Sequence, residues 1–296
     1  MGEGGEPWVN GASMNNQGVE FTVSFKSDPS SEFQWAVSAN IGTYKTELTD
    51  LPSNVINKYA GDGVHDLILG RSPNSAYGLV ADGIFKTQEE VDAHADQPGK
   101  AVGRIRYKDL DGDGVINETY DRTWIGCYDP DFFGGLNFDF AYKGFDLNLF
   151  FEGMFGNDVN SDWKKESDIW LFTNPAWKNH ATRMLGGWSP DNPNSDIPAI
   201  SNNTANQEQR FSSWFIEDGS YIKLRNIELG YTFPTKLIKK MHMSNLRLYA
   251  AAYNVFTLKK FWGDDKYTSF DPERPSYHYL TPVSYTHLRA HETLSD

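Results

Sequence analysis

The densest run of potential ligands is Asp109-Leu110-Asp111-Gly112-Asp113-Gly114-Val115-Ile116-Asn117, with Asp121 shortly after it. Carboxylates at the first, third and fifth places, glycine at the sixth, a backbone carbonyl at the seventh and asparagine at the ninth repeat the oxygen-donor order of an EF-hand calcium loop. A hard divalent cation takes oxygen ligands, and Gly114 supplies the sharp turn that wraps the chain around it. The run departs from the pattern at its twelfth place, where Tyr120 stands instead of a bidentate glutamate and Asp121 follows one residue late. No helices flank the run. The spacing therefore predicts a structural Ca²⁺ that stiffens a loop, held by Asp109, Asp111, Asp113, the Val115 carbonyl, Asn117 and Asp121. The competing reading is a solvated Asp/Gly turn.

A second group is aromatic. Trp163, Trp170, Trp177, Trp188 and Trp214 share one stretch with Asn157, Asn160, Asn174, Asn192 and Asn194. Indole faces stack on the C–H faces of sugar rings while amides take hydroxyls, so Trp163, Trp170, Trp177 and Trp188 are candidate substrate contacts. Indoles are also strong packing and interface anchors, and that reading competes at each position. Catalytic constellations are absent: the chain has no H-E-x-x-H, G-x-S-x-G, G-x-x-x-x-G-K-[ST] or G-x-G-x-x-G, and Cys127 has no histidine near it. The expectation is a protein that is not an enzyme.

Composition narrows the class. Forty acidic against 27 basic residues give 296 residues a formal charge of -13, which excludes a phosphate-neutralising surface and hence nucleic acid as partner. Aromatic residues make up 15%, too many for a disordered chain. The single cysteine excludes an internal disulfide. Mean hydropathy is -0.57 and no apolar run reaches the length of a membrane helix. Barrel strands escape that criterion, because only one of their faces is apolar.

Six segments alternate with period 2: Gln17 to Lys26, Phe33 to Tyr44, Phe133 to Tyr142, Phe145 to Phe155, Ser220 to Phe233 and Asn245 to Leu258. Each is about 10 residues or slightly longer, the length a tilted strand needs to cross a bilayer. In the third, Leu136, Phe138, Phe140 and Tyr142 oppose Asn137 and Asp139; in the fourth, Phe145, Leu147, Leu149 and Phe151 oppose Asp146, Asn148 and Glu152. A soluble β-sandwich alternates in the same way. The connections separate the two readings. Short links within strand pairs alternate with two long stretches, about 45–132 and 156–219. Short turns at one end and long loops at the other are the asymmetry of outer-membrane barrels. The fold expected is all-β: a partial antiparallel transmembrane β-barrel of about six strands with short periplasmic turns and long extracellular loops. Asn137, Asp139, Asp146, Asn148 and Glu152 are then the lumen-facing residues. Within the first long loop, Thr87-Gln88-Glu89-Glu90 is a capping box that opens a helix through about Ala95.

Several blocks together resemble the C-terminal part of SusC/RagA-type TonB-dependent outer-membrane transporters of Bacteroidota. They are NNQGVEFTVSF (Asn15 to Phe25), ADGIFKTQEEVDAHA (Ala81 to Ala95), GRIRYKDLDGDGVINETYDRTWIG (Gly103 to Gly126), PDFFGGLNFDFAYKGFDLNLFFEGMFGNDV (Pro130 to Val159), FIEDGSYIKLRNIELGYTFP (Phe215 to Pro234) and LRLYAAAYNVFTLKKFWGDD (Leu246 to Asp265). The resemblance covers Asn15 to Pro282, so residues 1–282 read as C-terminal barrel. It implies a barrel of about 22 strands around an N-terminal plug. It also implies import of oligosaccharides or peptides with TonB-derived energy, a SusD-type surface lipoprotein as lid, the TonB complex as partner through the plug, and outer-membrane lipid around the wall. A secreted, calcium-stabilised carbohydrate-binding β-domain is the alternative.

The end of the chain reads differently. Val283 to Thr293, VSYTHLRAHET, resembles a translated sequencing adapter, and residues 283–296 are expected to be a non-native tail without structure of their own. Neither plug nor signal peptide is expected in this chain, and a further descending strand is expected beyond it in the parent protein.

Overall fold

Where polar and apolar side chains alternate, a strand can satisfy two different environments at once, and the longest strands of the chain do this. The computed structural model describes residues 11–52, 67–169, 180–201, 203–259, 271–273 and 285–294. In chain order the strands begin with β1 (Ser13–Lys26), β2 (Phe33–Asp50), β3 (Ser75–Leu79) and β4 (Ala81–Ile84). Helix α1 (Gln88–Ala93) follows, then β5 (Ile105–Tyr107), β6 (Arg122–Cys127), β7 (Phe132–Tyr142) and β8 (Phe145–Phe155). The remainder are β9 (Asp158–Asn160), β10 (Ile216–Asp218), β11 (Tyr221–Thr232), β12 (Met243–Lys259) and β13 (Tyr285–Leu294). No helix among the described residues is long and apolar enough to cross a membrane.

The main sheet has seven strands in the order β1-β2-β7-β8-β11-β12-β13. From β2 through β13 each neighbouring pair is antiparallel. All six alternating segments lie in it, as the periodicity predicts. Their register keeps the two faces distinct. Leu136, Phe138, Phe140 and Tyr142 stand opposite Phe151, Leu149, Leu147 and Phe145, and Asp139 stands opposite Asn148. The β7–β8 turn is Lys143-Gly144 with φ of 49° and 89°, the two-positive-φ hairpin whose twist matches that of the strands. A Cβ on Gly144 would lie 2.8 Å from the Thr232 carbonyl oxygen, so glycine is required there twice over.

The seventh strand falls within residues 283–296, expected to be a non-native tail without structure of its own: Tyr285–Leu294 pairs with β12 from Tyr253↔Tyr285 to Met243↔Leu294. The physical reason is that the edge of β12 presents a row of unpaired N–H and C=O groups, and backbone pairing to an edge places little demand on side-chain identity.

The chain divides into two compact units. One comprises Met1–Gln17, Lys45–Asp129 and Asp158–Glu217; the other comprises Gly18–Tyr44, Pro130–Asn157 and Asp218–Asp296. The first, here the loop unit, gathers both long connections into one body with its own apolar core. Leu79, Ile84, Ile105, Tyr107 and Ile116 form that core, with Trp188 and Trp214 packed on it. Buried amides and a carboxylate stitch its two stretches together. Gln97 donates to the Ile105 carbonyl at 2.8 Å and to Asn206 Oδ1 at 2.7 Å, and Glu208 accepts the Ile105 N–H at 2.8 Å and a hydrogen bond from Asn206 at 3.0 Å. Arg104 pairs with the Glu208 carboxylate. Helix α1 is capped by Thr87, whose hydroxyl accepts the Glu90 N–H at 3.3 Å; Glu90 reaches back to the Lys86 N–H rather than to the cap itself. It stops at Ala93, two residues short of the expected Ala95.

Candidate functional site: an ion-paired sheet face and an acidic loop

In the sheet, the five residues expected on one face do share it, and they are linked through β7, β8, β11 and β12. Asn148 donates to Asn137 at 3.0 Å and to Asp139 at 2.7 Å, and Asn226 of β11 donates to Asn148 at 2.9 Å. Asp146 accepts from Arg247 of β12, which also reaches Glu228 of β11 at 2.6 Å. Glu152 accepts from Arg225 at 2.6 Å. Asp146 and Glu152 thus each have a counter-charge within reach, and Asp139 is held by the amides of Asn137 and Asn148. The Asp146–Arg247 pair passes directly over Gly230: a Cβ there would sit 2.6 Å from the Asp146 carboxylate and 2.5 Å from the guanidinium.

Lys223, Arg225, Asn226, Glu228 and Arg247 belong to the same face and were not singled out from the sequence. Strict alternation hides those on β11, because it groups Lys223 and Arg225 with Ile227 and Leu229, and Asn226 and Glu228 with Ile222 and Leu224. The pairing register shifts between Leu224 and Asn226, so Arg225 is an extra residue relative to β8. A one-residue bulge exchanges the faces on its two sides. With it, Ile222, Leu224, Ile227 and Leu229 align on the apolar face, while Lys223, Asn226 and Glu228 align on the polar one. In β12 the irregular residue is Asn254, with φ of 51°, and its side-chain oxygen accepts from Arg225 at 3.2 Å. The sequence signal available was the break in alternation itself.

The opposite face is apolar and exposed. Val19, Phe21 and Phe25 of β1, Phe33, Trp35 and Ile41 of β2, Tyr142, Phe145, Leu229, Leu248 and Leu258 are all large hydrophobic side chains in contact with the surroundings. Water penalises such a surface at about 25 cal/mol per Å² of apolar area, whereas lipid does not.

In the loop unit, the Asp/Gly run is a closed turn. Carboxylate oxygens of Asp109, Asp111 and Asp121 lie within 4.8 Å of one another. Asp109 accepts the Gly112 and Gly114 N–H groups at 2.7 and 2.9 Å, and those bonds pull its carboxyl below the usual aspartate range although desolvation pushes the other way. Asp121 is fully buried; its two oxygens accept the Leu110 N–H at 2.8 Å and the Asn117 N–H at 2.7 Å, closing the loop from both sides. Gly112 and Gly114 have φ of 75° and 84°, the left-handed backbone the winding demands. Ile116 anchors the turn in the core. Asp113 stands apart from the trio and accepts the Val115 N–H at 2.7 Å, while Asn117 Oδ1 accepts the Thr119 and Tyr120 N–H groups at 2.9 and 3.0 Å. The trio offers hard oxygen donors of a kind that Ca²⁺ takes.

The tryptophans divide. Trp170 and Trp177 lie outside the described residues. Trp163 is half-buried in a single helical turn, Asp162–Lys164. Trp188 packs on the core, and its indole lies so close to Gly103 that a Cβ there would meet it at 2.7 Å. Trp214 also packs on the core and carries the Lys164 ammonium 4.7 Å from its ring centroid. Lys164 is held below the usual lysine range by burial, against the pull of Glu217. Glu208 is pushed up by burial, against the pull of Arg104 and the Ile105 N–H.

An antiparallel sheet with an exposed apolar face, an ion-paired polar face, tight links within strand pairs and long connections between them is the wall of an outer-membrane β-barrel. No family model matches the sequence. Among curated proteins it resembles TonB-dependent receptor P3 of Formosa agariphila, 31% identical over 260 residues and 85% of this chain, and P26 of the same organism, 29% identical over 90% of it. SusC of Bacteroides thetaiotaomicron is 26% identical over 86% of the chain. The chain spans about a quarter of these relatives' length, between 24% and 26%. Its fold matches the solved RagAB peptide transporter with a TM-score of 0.71, 22% identity, and coverage of 95% of this chain and 29% of that one. Over most of its length the chain is similar to a C-terminal part of the barrel of SusC/RagA-type TonB-dependent receptors of the outer membrane; these relatives are receptors and transporters, not enzymes.

Proposed function

We propose that the chain supplies the polar wall and two external loops of an outer-membrane importer of oligosaccharides or peptides, driven through TonB and capped by a SusD-type lipoprotein. The observation that carries this reading is the segregation of the sheet's faces. Asn137, Asp139, Asp146, Asn148 and Glu152 line a water-filled lumen, where their ion pairs and amides meet a hydrated cargo. The opposite face meets lipid. A secreted carbohydrate-binding domain has no use for an exposed apolar face of this kind, because such patches drive association in water. No bond is made or broken: cargo is held and then released inward when the plug of the parent receptor moves.

The loop unit holds Ca²⁺ at Asp109, Asp111 and Asp121, with Asp113, Asn117 and the Val115 carbonyl completing the oxygen set after small adjustments of the turn. The ion has a structural part: it offsets most of the charge of three clustered carboxylates and fixes the loop that Ile116 anchors. Trp163, Trp170 and Trp177 remain the candidate cargo contacts of the second loop, whereas Trp188 is taken up by the core. The test is uptake by the intact receptor carrying this segment, supplied in turn with labelled oligosaccharides and peptides. Uptake of one class that stops with a protonophore, and falls when the neighbouring lipoprotein is deleted, is expected. Passive, energy-independent entry of both classes would sink the proposal.

A further inference from the structure

One cluster on the polar face has a part that lining a lumen does not explain. The Lys223 side chain is only 2% exposed. An ammonium so far withdrawn from water needs a counter-charge. It finds two, both on Asp271–Glu273, a short segment in the connection between β12 and β13. Nζ lies 3.5 Å from Asp271 Oδ1 and also donates to the Glu273 carboxylate. That carboxylate is the focus of three β11 side chains. The Tyr221 hydroxyl donates to it at 2.9 Å, and Arg225 donates through both terminal nitrogens, one of them at 3.1 Å. Asp271 in turn accepts the Glu273 N–H at 3.1 Å, a local turn that aims the Glu273 side chain at its donors. Pro272 between them narrows the backbone choices further. Arg225 takes part only because the bulge carries it onto this face.

We propose that Asp271–Glu273 is an acidic latch, with Tyr221, Lys223 and Arg225 of β11 as its catch. The proposal rests on the barrel reading: there the polar face lines the bore, so the fastened latch narrows the bore and its release widens it. Lys223 sets the strength of the fastening. Release leaves Arg225 still paired with Glu152 but parts the Lys223 ammonium from both of its counter-charges on the segment. Replacing Lys223 with methionine removes that attraction while leaving a side chain of similar length on the wall, and the carboxylates are then freer to go to water. Charge, not shape, is therefore what holds the segment down.

Amide hydrogen exchange on the intact receptor in lipid decides the matter, comparing wild type with Lys223→Met, Glu273→Gln and the charge-exchanged pair Lys223→Glu with Glu273→Lys. Exchange across 271–273 is expected to rise by about tenfold or more in Lys223→Met and Glu273→Gln, while β8 and β12 stay as protected as in wild type. The charge-exchanged pair is expected to recover a good part of the protection. Unchanged exchange at 271–273 in a Lys223→Met receptor that still migrates as a heat-modifiable barrel overturns the latch and leaves the barrel reading standing. If Lys223→Met does not form a barrel, Glu273→Gln and the exchanged pair decide by the same comparison. Failure of the wild-type receptor to insert overturns the barrel reading instead.

Discussion

The loop unit and the sheet unit use one alphabet in opposite senses. In the loop unit, Leu79, Phe85, Ile105 and Tyr107 are wholly or almost wholly buried, and charge beside that core is held in pairs such as Arg104–Glu208 and Lys164–Glu217. In the sheet unit, Phe21, Phe33, Phe145 and Leu229 are exposed, and the ion pairs Asp146–Arg247 and Glu152–Arg225 sit on the other face. The first arrangement gains stability by removing apolar area from water. The second has little apolar area to remove; its strands hold together by the backbone ladder, whose N–H and C=O groups lipid cannot satisfy, and by the cross-strand ion pairs of the polar face. Equal substitutions therefore carry unequal costs in the two units.

Breaking the buried pair is the largest expected effect. Arg104→Met leaves Glu208 buried beside the Ile105 amide and is expected to cost the loop unit about 3–5 kcal/mol, read as faster amide exchange at β5 while β8 stays protected. Glu208→Gln is expected to cost clearly less, because the amide oxygen still accepts the Ile105 N–H. Equal losses in the two variants would show that charge pairing is not what holds this site.

Truncation sharpens the contrast most directly. Ile105→Ala is expected to cost about 2–5 kcal/mol, since its cavity opens inside a closed core. Leu149→Ala on the apolar sheet face is expected to cost under about 1 kcal/mol in a bilayer, because lipid tails fill the space left. Leu149→Arg is expected to cost about 2–4 kcal/mol there. Parallel urea titrations of the intact receptor in lipid give the three values, and matching losses for the two alanine variants would erase the distinction between the units.

Calcium is expected to act on one unit only. At a free Ca²⁺ concentration about a hundredfold above its dissociation constant the gain approaches about 2.7 kcal/mol. It would appear as slower exchange across residues 105–121 and no change in β7, and Asp121→Ala would remove the difference between calcium and chelator. In the sheet, Gly230→Ala pushes a methyl into the Asp146–Arg247 pair and is expected to cost about 1–3 kcal/mol, with β12 loosening next to β11. The smallest effect is a pH slope. With its carboxyl raised by burial, Glu208 binds a proton more tightly in the folded unit than in the unfolded chain. Its contribution is thus fully present below the unfolded glutamate value and is lost as pH rises through the folded one. Glu208→Gln should flatten that part of the loop unit's stability profile; an unchanged slope would place the titration elsewhere.

Much of the sheet was legible because strand periodicity is local. Each of the six alternating segments is a strand, and the polar set Asn137, Asp139, Asp146, Asn148 and Glu152 shares one face as its parity requires. The β11 half of that face was not legible, since one bulged residue at Arg225 reverses the parity of everything before it. The acidic turn was legible as a run of oxygen donors, but not the burial of Asp121, which depends on how the turn seats on Ile116 and the core. Trp188 illustrates the limit of composition: an indole in a loop suits a sugar and a core equally well, and only its contact with Gly103 shows the packing.

By itself, then, the sequence determined the strands, their two faces, the turn at Lys143-Gly144 and the order of donors from Asp109 to Asp121, because each of these follows from a few neighbouring residues. The tertiary structure decided which residues meet across long separations: Gln97 with Asn206, Arg104 with Glu208, Asp146 with Arg247, and Lys223 with Asp271 and Glu273. It also decided that two long connections fold as one unit with a common core. Such pairings depend on register, bulges and burial, and these are set by the free energy of the whole packed sheet and core, not by any local run of residues.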